Sequence, residues 1–321
     1  MAIFAQEADA PVDAVVRELG RRGVDVFRAD TAWFPQRLSL DARIGRDGRW
    51  RGALCTEHRT VELEAIGAIW YRDPAAFDFP ATLTEVERAY AHREARLGLG
   101  GVLAALPVLW VNHPNRAADA MFKPLQLATA AACGLKVQPT QVTNSPAAAA
   151  QFAREHGVAD TICKSLGPNT ITEGGQLKIA YTRRLTAGDL EELSGVASTA
   201  TQLQRWVNKT HEARVVVIGE RMFTIAISAD SPAARVDWRA DFAALRYRLT
   251  DTPPEVEKGL RRYLAALGLA YTAVDFAIDE NGFWFLESNS SGQYGWLEAQ
   301  TGAPITAALA DLLTPRSPGR S

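Results

Sequence analysis

Cysteine is scarce in this chain: three among 321 residues, at Cys55, Cys133 and Cys163. They are widely spaced, odd in number and form no CxxC pair. That argues against a disulfide frame and against a thiolate zinc site. A reducing cytoplasm is the expected location. Histidine is sparse too, and His58, His92, His113, His156 and His211 show no ligand spacing. Net charge is only −2. No global basic field draws the chain to nucleic acid or to an anionic membrane, so neither is expected as a partner. Long apolar runs are missing. The most apolar window, Leu97 to Val111, is about 15 residues long and is broken by Pro107, too short to cross a bilayer as a helix. The first ten residues, MAIFAQEADA, carry no basic segment followed by an apolar one, so no signal peptide is expected. There is no internal repeat, no G-x-S-x-G, no Walker loop and no kinase catalytic loop.

What remains is an ordinary soluble composition, 47% apolar and 22% charged, in a chain long enough for two or three compact units. Hydrophobic period and turn signals divide it into three blocks. The first spans residues 1–112. It reads as strand at Ile3 to Ala5, helix at Pro11 to Gly20, strand at Val24 to Phe27, a hairpin about Arg46 to Arg49, strand at Ile66 to Tyr71, and a helix from Thr84 to Leu106 opened by Thr84 with Glu87 three residues on. This order suggests an open α/β unit. The second block, 113–200, reads as helices at Lys123 to Cys133 and Pro146 to His156, strands at Pro139 to Thr143, Thr161 to Ser165 and Leu177 to Leu185, and a short helix at Ala187 to Leu193. The third, 201–314, holds an extended stretch at Leu203 to Val207 and a hairpin over Arg214 to Ser228. A helix at Pro254 to Leu267 follows, then strands at Thr272 to Ile278 and Phe283 to Glu287 about the turn Asn281-Gly282. Residues 315–321 read as a flexible tail. The class is α/β (α+β), with mixed sheets and helices on one face.

The sharpest chemical signal is VDFAIDENGFWFLESNSSGQ, residues 274–293. Asp275 stands on one strand, and the turn returns the next beside it. Glu287 and Asn289 are two apart, so their side chains leave the same face. Hard divalent cations such as Mg²⁺ take oxygen ligands, commonly one or two carboxylates plus phosphates. The bland alternative is a solvated acidic hairpin. Trp284, Phe285 and Leu286 oppose it, because they bury the strand, and a buried Glu287 needs a partner. Two lysines add a phosphate signal. Lys164 ends a strand beside a loop, and Lys123 opens a helix, where ammonium and helix dipole both favour an anion. Leu203 to Val207 is an extended apolar segment whose free backbone edge could pair with adenine, and Arg214 follows, able to neutralise a transferring phosphoryl group. Alone, each has a plain reading as surface lysine or charged strand end.

Taken in order, Lys123, Gly134-Leu135, Pro139-Thr140, Lys164, Gln204 to Val207, Arg214, Asp275, Glu287 and Asn289 resemble the ATP-grasp superfamily. Within it the chain looks like the graspetide synthetases, the microviridin-type peptide macrocyclases. The carrying segments are Ile69 to Arg72, Pro139 to Asn144, Lys164 to Gly167, Gln204 to Lys209 and Leu286 to Asn289. Ribosomal-protein glutamate ligases share much of this core.

The resemblance implies an ATP-grasp fold behind an N-terminal pre-ATP-grasp domain at 1–112. It implies a central subdomain at 113–200 with lid and leader-binding element, and a metal-holding subdomain at 201–314. Lys123 and Lys164 would meet the phosphates of ATP, and Gln204, Arg205, Trp206 and Val207 the adenine. Asp275, Glu287 and Asn289 would hold Mg²⁺. Arg214 would stabilise an acyl phosphate, and Arg239 would hold a substrate carboxylate. The implied partner is a ribosomally made precursor peptide, a leader plus a core bearing Thr/Ser and Asp/Glu, acted on by a homodimer. Gln176 to Ser194, with Glu191 and Glu192, would grip the leader. The loop Gly167 to Gly175 is less glycine-rich than the lid of many relatives, and no residue stands out as general base. The rival readings are an amino-acid ligase of the glutamate type and, from a different class, an inactive nucleotide- or peptide-binding module.

Overall fold

In the computed structural model of the chain, the residues described are 1–167, 170–174, 176–179 and 181–314. The positions 168, 169 and 175 of the loop read above as a lid, and the tail 315–321, lie outside them.

The first sheet is parallel throughout. It is built from β1 (Ala2–Ala5), β2 (Phe27–Ala29), β6 (Ala68–Arg72) and β7 (Leu109–Val111) in the order β2-β1-β6-β7. The strand expected from Val24 starts only at Phe27, where pairing with Ala2 begins; the Val24 amide instead bonds the Leu19 carbonyl at the end of the preceding helix. Helix α1 (Ala10–Arg21) is capped by the Asp9 side chain and buries Val12, Val15 and Leu19, the face its period predicts. Helix α2 (Glu85–Ala104) opens with the Thr84/Glu87 capping box. A side sheet of β3 (Leu38–Ile44), β4 (Trp50–Thr56) and β5 (Thr60–Glu62) contains the expected hairpin.

After the short helix α3 (Pro114–Asp119), α4 (Lys123–Ala132) leads into β8 (Lys136–Val137) and β9 (Thr140–Thr143). Helix α5 (Pro146–His156), β10 (Thr161–Lys164), the hairpin β11 (Thr170–Glu173) and β12 (Gln176–Ile179), β13 (Arg183–Arg184) and β14 (Thr201–Arg205) follow. The strand expected over 177–185 is thus broken in two, and the helix at 187–193 is only a 3₁₀ turn, Ala187–Leu190. A small sheet, β13-β10-β14-β9, is antiparallel.

The third layer is a six-stranded sheet, ordered β17-β16-β15-β18-β19-β8. Its strands are β15 (His211–Ile218), β16 (Arg221–Ala229), β17 (Leu245–Thr250), β18 (Tyr271–Asp279) and β19 (Gly282–Asn289), with β8 added in parallel. Between them lie α6 (Pro232–Val236) and α7 (Pro254–Leu267), and α8 (Gly295–Thr301) and α9 (Ile305–Leu313) close the described chain. Helices cover both faces, not one. Val216, Ile218 and Ala273 pack with α9 and α1, while Val215, Val217 and Phe276 pack with α4 and α7. The physical reason stands in the sequence: Val215 to Ile218 is an unbroken apolar run, the mark of a strand buried on both sides. Each such side chain contributes about 1.5–3 kcal/mol of burial.

The first sheet also grips the loop after β19. Arg72, fully buried, donates from Nη1 to the Ser291 carbonyl at 2.8 Å. Asn112 donates to Tyr271 and Ser290 carbonyls at 2.8 Å and accepts from the Ala270 and Tyr271 amides. A Cβ on Gly292 would meet Ala273 Cβ at 2.5 Å, so only glycine lets this loop lie against the sheet.

Candidate active site

A cavity of about 520 Å³ lies between the small sheet and the six-stranded sheet. All eleven positions singled out from the sequence line it. Its floor is a row across three strands. Arg214, inside β15 rather than at its start, stands opposite Asp275 of β18, and Asp275 opposite Glu287 of β19. That alignment depends on a bulge. The register shifts between Asp275 and Phe276, making Leu286 the extra residue. Without the shift, Leu286 would face Asp275 and Glu287 would turn to the apolar side.

Ionic contacts run along this row in alternation. Arg214 Nη1 lies 3.2 Å from Asp275 Oδ1. Arg239 Nη2 lies 3.5 Å from Asp275 Oδ2 and 3.0 Å from Glu287 Oε1. Lys123 Nζ lies 3.0 Å from Glu287 Oε2 and donates to the Ser165 carbonyl at 2.8 Å. Glu287 is half-buried, and it has partners. Burial works to raise its carboxyl, but Lys123, Lys164 and Arg239 outweigh burial and hold it at about 2. Asp275, more deeply enclosed, is pushed up by burial, against the pull of Arg214 and Arg239. Burial lowers the Lys164 ammonium, with Glu287 pulling it back.

Two indoles hold the arginines. The Arg239 guanidinium lies 4.7 Å from the Trp238 ring centre, Arg214 lies 5.3 Å from Trp296, and the two rings stack at 6.0 Å. Trp238 is buried, and so belongs to the core as well as to the site. At the far side, Lys209 and the buried Glu212 form a tight ion pair, and Lys209 also bonds the Val236 carbonyl at 3.0 Å. Across the whole lining, six cationic side chains face four acidic ones. The excess suits a polyanion.

One expectation needs correction. The segment 203–205 offers no free backbone edge: β14 is bonded to β10 on one side and β9 on the other. The next amide, Trp206 N, donates to the Asp160 carbonyl at 2.7 Å. Only side chains of Leu203 to Arg205 can reach a ligand. The proposed metal ligands, two carboxylates and an amide, stand among cations. Among the described residues no three His, Cys, Asp or Glu side chains gather as a metal site. Asp275 and Glu287 are engaged by arginine and lysine, and Asn289 Oδ1 accepts from the Ser291 amide at 2.9 Å. Even so, Asp275 and Glu287 are adjacent and Asn289 follows on the same face. This is a hard oxygen set that fits Mg²⁺.

Sequence reasoning missed the supports. Gln126 of α4 accepts from the Ser288 amide at 2.9 Å and donates to its carbonyl at 2.8 Å, acting as a further strand beside Glu287. Tyr263 bonds the Ser288 hydroxyl at 2.7 Å. Trp296 escaped notice as well. A lone glutamine in an alanine-rich helix gives no signal of this role. Glu191 and Glu192 do not line the cavity; Glu192 caps the Ser194 amide at 3.0 Å.

Residues 3–118 match the MvdD pre-ATP grasp domain. A RiPP-associated ATP-grasp ligase from Chryseobacterium gregarium, solved with ADP and a leader and core peptide, is 27% identical at TM-score 0.89. The match covers 98% of this chain and 97% of that one. The macrocyclase MdnC of Microcystis aeruginosa, bound with precursor peptide MdnA, is 28% identical at TM-score 0.84, with 98% and 99% covered. Over nearly its whole length the chain is thus similar to peptide-bound ATP-grasp enzymes, which supports an ATP-dependent ligase. This ATP-grasp ligase is also similar in fold to a RimK domain protein of Sphaerobacter thermophilus, at 16% identity and TM-score 0.58, with 98% and 99% covered. No curated protein matches it. No helix of the ligase among the described residues is long and apolar enough to cross a membrane.

Proposed function

We propose that this ATP-dependent ligase is a peptide macrocyclase acting on a ribosomally made precursor. The observation that carries the reading is the alternating row Arg214, Asp275, Arg239, Glu287 and Lys123 on the floor of a cationic cavity. The two peptide-bound ligases of similar sequence support it, since each spans nearly the same length.

Lys123 and Lys164 hold the phosphates of ATP, and Gln204, Arg205, Trp206 and Val207 border the base. Asp275, Glu287 and Asn289 would hold Mg²⁺, which would supply positive charge to offset that of the transferring phosphoryl group. Arg239, which lies against Asp275 and Glu287, would hold the substrate carboxylate. A side-chain carboxylate of the peptide attacks the terminal phosphorus and displaces ADP. Arg214 stabilises the acyl phosphate so formed. A Thr or Ser hydroxyl, or a Lys amine, of the same peptide then attacks the acyl carbon. Phosphate leaves, the nucleophile loses its proton, and an ester or amide ring closes. The net change in the peptide is loss of one water per bond. The stretch from Gln176 to Ser194 is the proposed leader grip.

The test is to incubate the full chain with ATP, Mg²⁺ and the precursor encoded beside it, and to weigh the peptide. Loss of one water mass per bond with ADP release supports macrocyclisation. Gain of amino-acid masses would replace it with the glutamate-ligase reading.

A further inference from the structure

We infer that Gln126 is a positioning residue for the metal set, fixing the end of β19 that carries Glu287 and Asn289 to the helix that carries Lys123. This rests on the Mg²⁺ reading above and adds the group that holds its ligands in place.

The need for such a group lies in the sheet. Along one edge β19 is paired with β18, Ser288 opposite Val274 and Asn289 opposite Ala273. Along the other edge β8 reaches only Trp284 and Phe285. Leu286 to Asn289 therefore have no strand on that side among the described residues, and two of the metal ligands sit in this stretch. Ser288, between them, is buried, so its outward amide and carbonyl need partners from elsewhere.

Gln126 supplies both. It lies in α4 and is 3% exposed. Its Oε1 accepts from the Ser288 amide at 2.9 Å, and its Nε2 donates to the Ser288 carbonyl at 2.8 Å and to the Ala120 carbonyl at 2.6 Å. A side-chain amide offers a donor and an acceptor in one plane, as a neighbouring strand would. An apolar chain in its place would leave the Ser288 backbone unbonded. Lys123 stands three residues earlier on the same face of α4 and lies 3.0 Å from Glu287 Oε2. Helix α4 thus grips consecutive residues of β19, Glu287 through charge and Ser288 through its backbone. The amide of Gln126 is spent on protein partners, so it acts on the metal only through the strand. Outer partners of this kind set how well a ligand set is preorganised for its ion.

The probe is Mn²⁺, titrated into the full chain with ADP present and followed by the EPR signal of the free ion. Gln126→Met keeps length and burial without the amide, and should weaken Mn²⁺ about tenfold. Binding of ADP in the presence of a chelator should fall less. Gln126→Asn keeps the amide but is one methylene too short, and should also weaken Mn²⁺; it decides the matter if Gln126→Met does not fold. Wild-type Mn²⁺ affinity in a folded variant overturns the inference, even if that variant melts earlier. So does an equal loss of Mn²⁺ and of metal-free ADP binding, and so does failure of both variants to fold, since each marks a purely structural role. Glu287→Gln is the reference. If it binds Mn²⁺ as wild type does, the metal reading falls and the inference with it; if it weakens Mn²⁺ while the Gln126 variants do not, the inference alone falls.

Discussion

The floor and the wall of the cavity are built on different principles. On the floor, β15, β18 and β19 bring charged groups together in one row, each held by a charge of opposite sign. On the wall, β14 brings to the cavity the buried neutral Gln204, whose Oε1 has no partner among the described residues; Gln141 and Gln202 share that lack but do not line the cavity. The difference teaches which part of a ligand each surface takes. A cross-paired charge row can exchange a partner for phosphate, carboxylate or metal at little net cost in desolvation. An unpartnered neutral acceptor reads a neutral donor.

Breaking the floor should have the largest effect. Glu287→Gln should retain the fold yet lose Mg²⁺-dependent turnover by orders of magnitude, because it takes a metal ligand and the shared partner of Lys123 and Arg239. Wild-type turnover in that variant would refute the metal assignment. Next, Asp275→Ala leaves Arg214 buried without its counter-charge and should destabilise the protein by about 3–5 kcal/mol, read from urea midpoints.

A pH series sharpens the comparison within the floor itself. Glu287 is lowered from 4.5 to about 2 in the folded chain. Its folded pKa is depressed, so its stabilisation is full above pH 4.5 and is lost as the pH falls toward 2. Asp275, raised by burial, works in the opposite sense and favours the folded state more at low pH. Urea midpoints of wild type and Glu287→Gln should therefore converge as acid is added, and a constant gap would contradict the assignment. On the wall, Arg205→Ala sets the smallest effect. Its side chain is exposed at the rim, so stability should stay within about 0.5 kcal/mol by thermal or urea melts.

Much of this was legible along the chain. The Thr84/Glu87 box, the Asn281-Gly282 turn and the helical periods marked real elements because each is a local, short-range interaction. Glu287 and Asn289 were readable as one face because the strand period is two. The free edge expected over 203–207 is already taken up at 203–205, for a physical reason. Whether a strand is an edge depends on what lies beside it, and residues 140–143 and 161–164 come from far along the chain.

The sequence by itself determined the residue types of the site, their order and the apolar strands that would bury them. Spacing and composition are properties of the chain. Only the tertiary structure decided that Glu287 faces Asp275, because a single extra residue at Leu286 turns the strand over. It alone placed Trp238 and Trp296 against the arginines, Gln126 against Ser288, and Gln204 in the cavity lining. Register, stacking and hydrogen-bond direction arise between segments distant in sequence, so they are settled only when those segments pack.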